Sequence, residues 1–299
     1  MAFINIFLSS LCKVNVRNDQ LIIQGDKVSE FPIEDINSIM IENHSINLSA
    51  YTLYRLVENG TAVFICNKYH LPLGMMYSFS DATRKSKLIL SQFNISKPLR
   101  KQLWQNIIIA KIKNQANCLR LCGIIKAEEI EKLCSNVLSG DSGNIEAIAA
   151  LKYFKYLFGN KFIRRQENII NACLNYGYSI IRGLIARTLS VYGFETSIGL
   201  FHSSELNNFN LADDLLEPYR PIIDMFVYKN IDYELEMLTP QLKKAIYNII
   251  NLNIEINNQI HSVNYSIELT IQSLKNSILN NEKKLLLPKL MDGSIHKYE

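Results

Sequence analysis

The chain has 299 residues, 48% hydrophobic and 20% charged, with a net charge of +4 at pH 7. That is an ordinary globular composition, which excludes disordered, collagen-like and low-complexity classes, and at roughly 100–200 residues per domain the length fits one large domain or two smaller ones. No apolar run approaches the ~20 residues that span a bilayer, and the N-terminus lacks the basic flank and small-residue cleavage site of a signal peptide, so a cytoplasmic protein with no membrane partner is expected.

Residues 1–80 read as β. Apolar or alternating runs at 4–8, 13–16, 21–24, 38–42 and 62–66 are strand signals, and 17–20, containing Asn18-Asp19, is a hairpin turn. Ser49 is placed to cap a helix through residue 57 that Asn59-Gly60 would end, and Leu71-Pro72-Leu73-Gly74 reads as a turn. After Ser80 glycine becomes sparse and apolar residues recur three and four apart. This predicts helices over 86–93, 97–122, 127–137, 144–158, 162–192, 210–216, 239–252 and 262–282, with a frayed tail from 291. The expected fold class is α+β: a small β-rich domain, 1–80, followed by a larger all-α domain, 81–299.

The six cysteines form no CxxC pair and read as reduced, mostly buried thiols in a reducing compartment. Charge is segregated. Residues 81–120 carry +8, residues 151–187 carry +6, and residues 200–240 carry −6. Basic surface binds a polyanion backbone, while clustered carboxylates hold a divalent metal against it.

The turn cluster Ser139-Gly140-Asp141-Ser142-Gly143-Asn144 opens onto a helix with Glu146 in its first turn, where an acid also complements the helix dipole. His202 follows Gly199-Leu200-Phe201 in a loop. Farther on, Asp213 and Glu217 lie four apart and Asp214 and Glu217 three apart, stacking carboxylates on one helix face within an apolar frame of Leu211, Leu215 and Leu216. One histidine with two carboxylates from separate helices suits Mn²⁺ or Mg²⁺ with open positions for water and phosphate oxygens.

The pattern resembles the universal CRISPR-associated integrase/endonuclease family, the spacer-acquisition subunit, and is most similar to its type II branch. The residues that carry the resemblance are Ser142-Gly143-Asn144-Ile145-Glu146-Ala147, Asn175-Tyr176-Gly177-Tyr178, Gly199-Leu200-Phe201-His202 and Asn210-Leu211-Ala212-Asp213-Asp214-Leu215-Leu216-Glu217-Pro218-Tyr219-Arg220-Pro221, together with Ile41-Glu42-Asn43-His44 and Asn59-Gly60-Thr61-Ala62-Val63. The resemblance implies a β-sandwich-like dimerisation domain and a helical catalytic domain. It implies that Glu146, His202 and Glu217 are both the catalytic residues and the ligands of Mg²⁺ or Mn²⁺, with Asp214 an additional acid near the metal. Many relatives have Asp at the last ligand position, and Glu there is similar to the type II variant. The implied reaction is insertion of spacer DNA into a CRISPR array by attack of a 3′-hydroxyl on a repeat phosphodiester. The implied partners are double-stranded DNA (spacer precursor and repeat), a second copy in a homodimer, a small ferredoxin-like adaptation protein completing a heterohexamer, and the RNA-guided nuclease of a type II system.

Arg84, Lys85, Lys87, Arg164, Arg165, Arg182 and Arg187 are candidates for a DNA track. Tyr176 and Tyr178 are placed either to stack on splayed bases or to pack in the core. Two other readings stay open: a hydrolytic metal-dependent nuclease on branched or single-stranded DNA, and a non-catalytic DNA-binding scaffold.

Overall fold

Asn18 and Asp19 both adopt left-handed backbone, φ 49° and 57°, the geometry of a primed two-residue turn whose twist suits a hairpin. In the computed structural model, which describes residues 4–67, 72–76, 78, 85–235 and 237–296, this turn joins two strands of the first of two units, Met1–Thr83 and Arg84–Glu299.

The first unit runs β1 (Ile4–Leu8), β2 (Lys13–Arg17), β3 (Gln20–Gln24), β4 (Val28–Pro32), β5 (Ile36–Ile41), β6 (Asn47–Leu48), α1 (Ala50–Glu58), β7 (Ala62–Cys66) and β8 (Pro72–Met76). One sheet has the order β1-β5-β7-β8, the other β4-β3-β2-β6. Strands β1, β5 and β7 are parallel, and β5 is buried along its whole length, as a central parallel strand should be. Leu8, Val14, Leu21, Ile36, Ile39, Leu56 and Val63, drawn from both sheets and α1, share one core. Ser49 caps α1 by accepting from the Thr52 amide at 3.1 Å. Two features differ from the expectation. Val28–Pro32 is an edge strand whose exposed residues hide the alternation. Residues 72–74, read as a turn, begin β8, which pairs antiparallel with β7; Leu71 lies outside the described residues.

The second unit runs α2 (Lys85–Phe93), α3 (Lys97–Leu121), α4 (Ala127–Glu131), α5 (Ile145–Phe158), α6 (Ile169–Val191), α7 (Asn210–Leu216), α8 (Arg220–Asn230), α9 (Pro240–Tyr247), β9 (Leu252–Ile256), β10 (Gln259–Ser262), α10 (Val263–Asn280) and β11 (Lys289–Ile295). The fold class is therefore α+β, with a β-rich N-terminal unit and a mainly helical larger one. Helix α3 is its centre, packed against α4, α5, α8 and β11. Gly177 of α6 faces α8 so closely that a Cβ there would lie 2.6 Å from Ile223 Cγ2. No helix among the described residues is long and apolar enough to cross a membrane.

The second unit, expected to be all-α, also holds an antiparallel sheet of order β10-β9-β11. Leu252, Ile254 and Ile256 alternate inward, and Asn257 and Asn258, at φ 53° and 61°, form a second primed turn. The tail expected to fray pairs with β9 as β11. Helix α6 starts at Ile169 rather than at 162. Asn171 Nδ2 donates to the carbonyls of Ile163 and Gln166, both at 2.8 Å, and these side-chain bonds hold a turn where helix was predicted.

Candidate active site

Glu146 stands in the first turn of α5, and the turn before it explains why its carboxylate is free. Asp141 accepts from the Ile145 amide at 2.9 Å and from the Glu146 amide at 3.0 Å, so Asp141 satisfies the helix N-terminus. Glu146 instead pairs with the Lys111 ammonium, which projects from the middle of α3 with its side chain only 6% exposed. The same ammonium pairs with Glu217, whose side chain is 8% exposed on the 3₁₀ turn Glu217–Tyr219 between α7 and α8. The other Glu217 oxygen accepts from Arg220 Nε at 2.9 Å. Burial alone would raise the Glu217 carboxyl, but Arg220 and Lys111 outweigh it and hold the group at about 2. Burial likewise opposes the Lys111 charge, yet Glu217 and Glu146 hold its ammonium above the usual lysine value.

His202 is set by Asp214, a fully buried acid on α7. Asp214 accepts from the amides of Leu200, Phe201 and His202, and from His202 Nδ1 at 2.7 Å. That last bond raises the His202 pKa against the opposing effect of burial. The loop can close on Asp214 only because residue 199 is glycine: a Cβ there would lie 2.3 Å from the His202 carbonyl oxygen and 2.8 Å from Asp214 Oδ2. Trp104 of α3 stacks on Phe201 at 4.4 Å and meets the His202 ring edge-on at 5.8 Å. Trp104 and Lys111 are two helical turns apart on one stripe of α3, so a single helix face supports the histidine at one level and the two glutamates at the next.

The structure thus brings Glu146 and Glu217 onto one cation, with His202 on the same supporting stripe. Among the described residues no three His, Cys, Asp or Glu side chains form a ready metal cage; a lysine lies where the carboxylates converge. In kind, the donors fit a hard divalent ion. Two carboxylates already enclose a positive charge, and the bond from Nδ1 to Asp214 leaves the His202 Nε2 as the free ring nitrogen.

Asp213, read from its spacing as a neighbour of Glu217, turns instead to Arg182 Nε at 2.8 Å and Asn207 Nδ2 at 2.7 Å. Arg182 is committed there and over the Phe209 ring. Arg164 donates to Asn171 and Asn175 and lies 5.2 Å from the Tyr178 ring centroid. Arg165 and Lys87 are exposed, Lys85 and Arg187 half-buried, and Arg84 lies outside the described residues. Tyr176 and Tyr178 are both buried, so they pack in the core rather than offering a face to a base. Sequence reasoning missed Lys111, Trp104, Arg220 and Asp141. No local signal marks Lys111: it follows the apolar stretch Ile107-Ile108-Ile109-Ala110, but the same helix also carries Lys97, Arg100, Lys101, Lys113 and Arg120.

The chain is similar to known proteins in sequence and in fold. The sequence model of the family described as CRISPR associated protein Cas1 matches residues 7–237. The CRISPR-associated endonuclease Cas1 of Neisseria meningitidis serogroup C (strain 8013) is 40% identical over 293 residues, 96% of each chain. A casposase bound to integration product shares the fold with a TM-score of 0.76 at 19% identity, over 95% of this chain and 92% of that one. A chain of a Cas6-RT-Cas1–Cas2 complex shares it with a TM-score of 0.69 at 18% identity, over 98% of this chain and 36% of that one. With a family match over most of its length and a relative this similar end to end, the chain belongs to the CRISPR-associated Cas1 family.

Proposed function

We propose that this chain is a spacer-acquisition integrase that uses Mg²⁺ or Mn²⁺ held by Glu146, His202 and Glu217 to join the 3′-hydroxyl of a short DNA duplex to a phosphodiester at the edge of a CRISPR repeat. The observation that carries this reading is the convergence of two buried or half-buried glutamates on one positive charge, beside an imidazole fixed by a buried aspartate. The family membership supports it, as does a fold shared with a casposase bound to integration product.

When bound, the metal supplies polarisation of the phosphoryl oxygen and offsets charge on the attacking and leaving oxygens. The chain's own residues do the rest. Glu146 and Glu217 present oxygen donors, and Arg220 restrains the second of these. His202 presents Nε2, while Asp214 accepts a hydrogen bond from Nδ1–H and so fixes tautomer and ring orientation. Gly199 allows the loop to close, and Trp104 backs the ring. Lys85, Lys87 and Arg165 hold phosphates of the DNA backbone through salt-sensitive contacts without reading sequence.

Two transfers on opposite strands of one repeat need two sites at a fixed spacing, which calls for a symmetric assembly. In this reading residues 1–80 form the dimerisation domain and 81–299 the catalytic one. A small ferredoxin-like adaptation protein bridges homodimers into a heterohexamer, and the RNA-guided nuclease of a type II system joins in selecting fragments. A relative fold in a Cas6-RT-Cas1–Cas2 complex is in keeping with such a bridge. Six free cysteines among the described residues suit a cytoplasmic setting.

The test is strand transfer. The protein, with and without its small partner, is mixed with a labelled duplex and a supercoiled plasmid carrying the repeat, in Mn²⁺ or in EDTA. Metal-dependent covalent joining that disappears in His202→Ala is the expected result. Cleavage without joining, even with the partner present, would replace this reading with a hydrolytic nuclease. Tight DNA binding indifferent to EDTA, with neither product, would replace it with a scaffold.

A further inference from the structure

We propose that the Lys111 ammonium is a resident counter-ion that holds Glu146 and Glu217 together until a divalent cation displaces it, and that a DNA phosphate then receives the displaced charge. The inference rests on the reading that these two glutamates hold the metal, and it adds a coupling between metal loading and substrate binding.

The geometry behind it is simple. Lys111 pairs with an oxygen of each glutamate, and its side chain is 6% exposed, so the ammonium lies in the position where the two carboxylates converge. Two carboxylates drawn this close repel one another unless a cation lies between them. An ammonium and a divalent ion cannot share that position, because like charges at contact distance in a poorly solvated site repel strongly. The backbone of Lys111 cannot yield, since it lies near the middle of the 25-residue α3, which is packed against α4, α5, α8 and β11. Only its side chain can move.

Once displaced, the ammonium has lost both of its partners. Arg220, the other charged group held by Glu217, is itself cationic and works against the Lys111 charge. A buried, unpaired charge is strongly unfavourable, so the ammonium needs a new anion. The DNA phosphate brought to the site is the anion the proposed reaction supplies. Binding free energies are reciprocal, so DNA must then tighten metal binding by the factor by which metal tightens DNA binding. Without DNA, the metal competes against Lys111 alone.

Two measurements test this on the full chain without relying on turnover. The first is calorimetric titration of the DNA-free protein with Mg²⁺. Lys111→Met should bind the ion at least about tenfold more tightly than wild type and should be less stable than wild type in EDTA, because its two glutamates lose their cation. The second uses wild type only and so holds even where the variant folds poorly. Amine acylation of Lys111, read by mass spectrometry, should be slow in EDTA, faster in Mg²⁺, and slow again when a duplex with blocked 3′ ends is added to the Mg²⁺-loaded protein. Lys111 acylation unchanged by Mg²⁺ that demonstrably binds, or unchanged affinity in Lys111→Met, would overturn the proposal. Mg²⁺ binding that survives Glu217→Gln undiminished would show that the ion sits elsewhere, which overturns the site assignment itself.

Discussion

Two acids seven positions apart, Glu217 and Asp224, are both buried, yet they carry opposite electrostatic signatures. Glu217 is held at about 2, whereas Asp224 is pushed up to about 6 by its burial. Burial disfavours the carboxylate at both places, so partners decide the difference. Glu217 touches two cations, Lys111 and Arg220. Asp224 touches two phenols, accepting from Tyr153 at 3.0 Å and from Tyr178. The guanidiniums of Arg164 and Arg220 lie against the Tyr178 ring, 5.2 and 4.6 Å from its centroid, and lower the Asp224 value without outweighing its burial. The molecule thus keeps one buried acid as an ionised ligand candidate and another as a scaffold group that seats Tyr178 beneath Arg220.

The most severe way to break this contrast is Glu217→Gln. It leaves Lys111 with one carboxylate and Arg220 with only the Tyr178 ring, and breaking a buried pair from one side costs about 3–5 kcal/mol. Urea unfolding should register that loss together with abolished strand transfer, and a loss below about 1 kcal/mol would mean that the cations are not held by this acid. Asp224→Asn tests the other side. The folded value of about 6 lies above the ~3.9 of an unfolded aspartate, so the folded chain binds the proton more tightly. That contribution is complete below about pH 4 and vanishes as pH rises through 6, an effect on the order of 3 kcal/mol for a shift of about two units. The stability profile of Asp224→Asn should lack this fall, and a slope equal to that of wild type between pH 4 and 6 would contradict it. The mildest perturbation is Arg164→Gln, which removes a positive charge that lowers the Asp224 pKa. The midpoint of the same profile should move up by less than about one unit; no shift, or a downward one, would detach Arg164 from this network.

What the sequence made legible was whatever local chemistry dictates. Asn18-Asp19, Ser49 and the turn before Glu146 each specify their conformation within four residues, and the structure has a primed turn, a cap and a helix start there. The sheet of β9, β10 and β11 was not legible, because Leu252–Ile256 follows a helix without a break and β11 is joined to β9 only through the folded unit. In the site, the acids and the histidine stood out by residue type. Their partners did not. Lys111 lies 35 residues from Glu146 and 106 from Glu217, and no local pattern distinguishes a lysine that binds two acids from one that faces solvent. For the same reason the basic runs were read as a DNA track, while Arg164 and Arg182 are occupied by side chains of their own unit.

The buried side chain of Asn114 has a consequence for when the site can be assembled. Its amide nitrogen donates to the carbonyls of Pro218 at 2.8 Å and Pro288 at 2.9 Å, and its oxygen accepts from the Leu290 amide at 3.0 Å. One amide therefore ties the residue after Glu217 to the start of the last strand. A nascent chain still missing Pro288 and Leu290 offers Asn114 one of its three partners, so the segment carrying Glu217 acquires its full support only after residues 288–290 have been made.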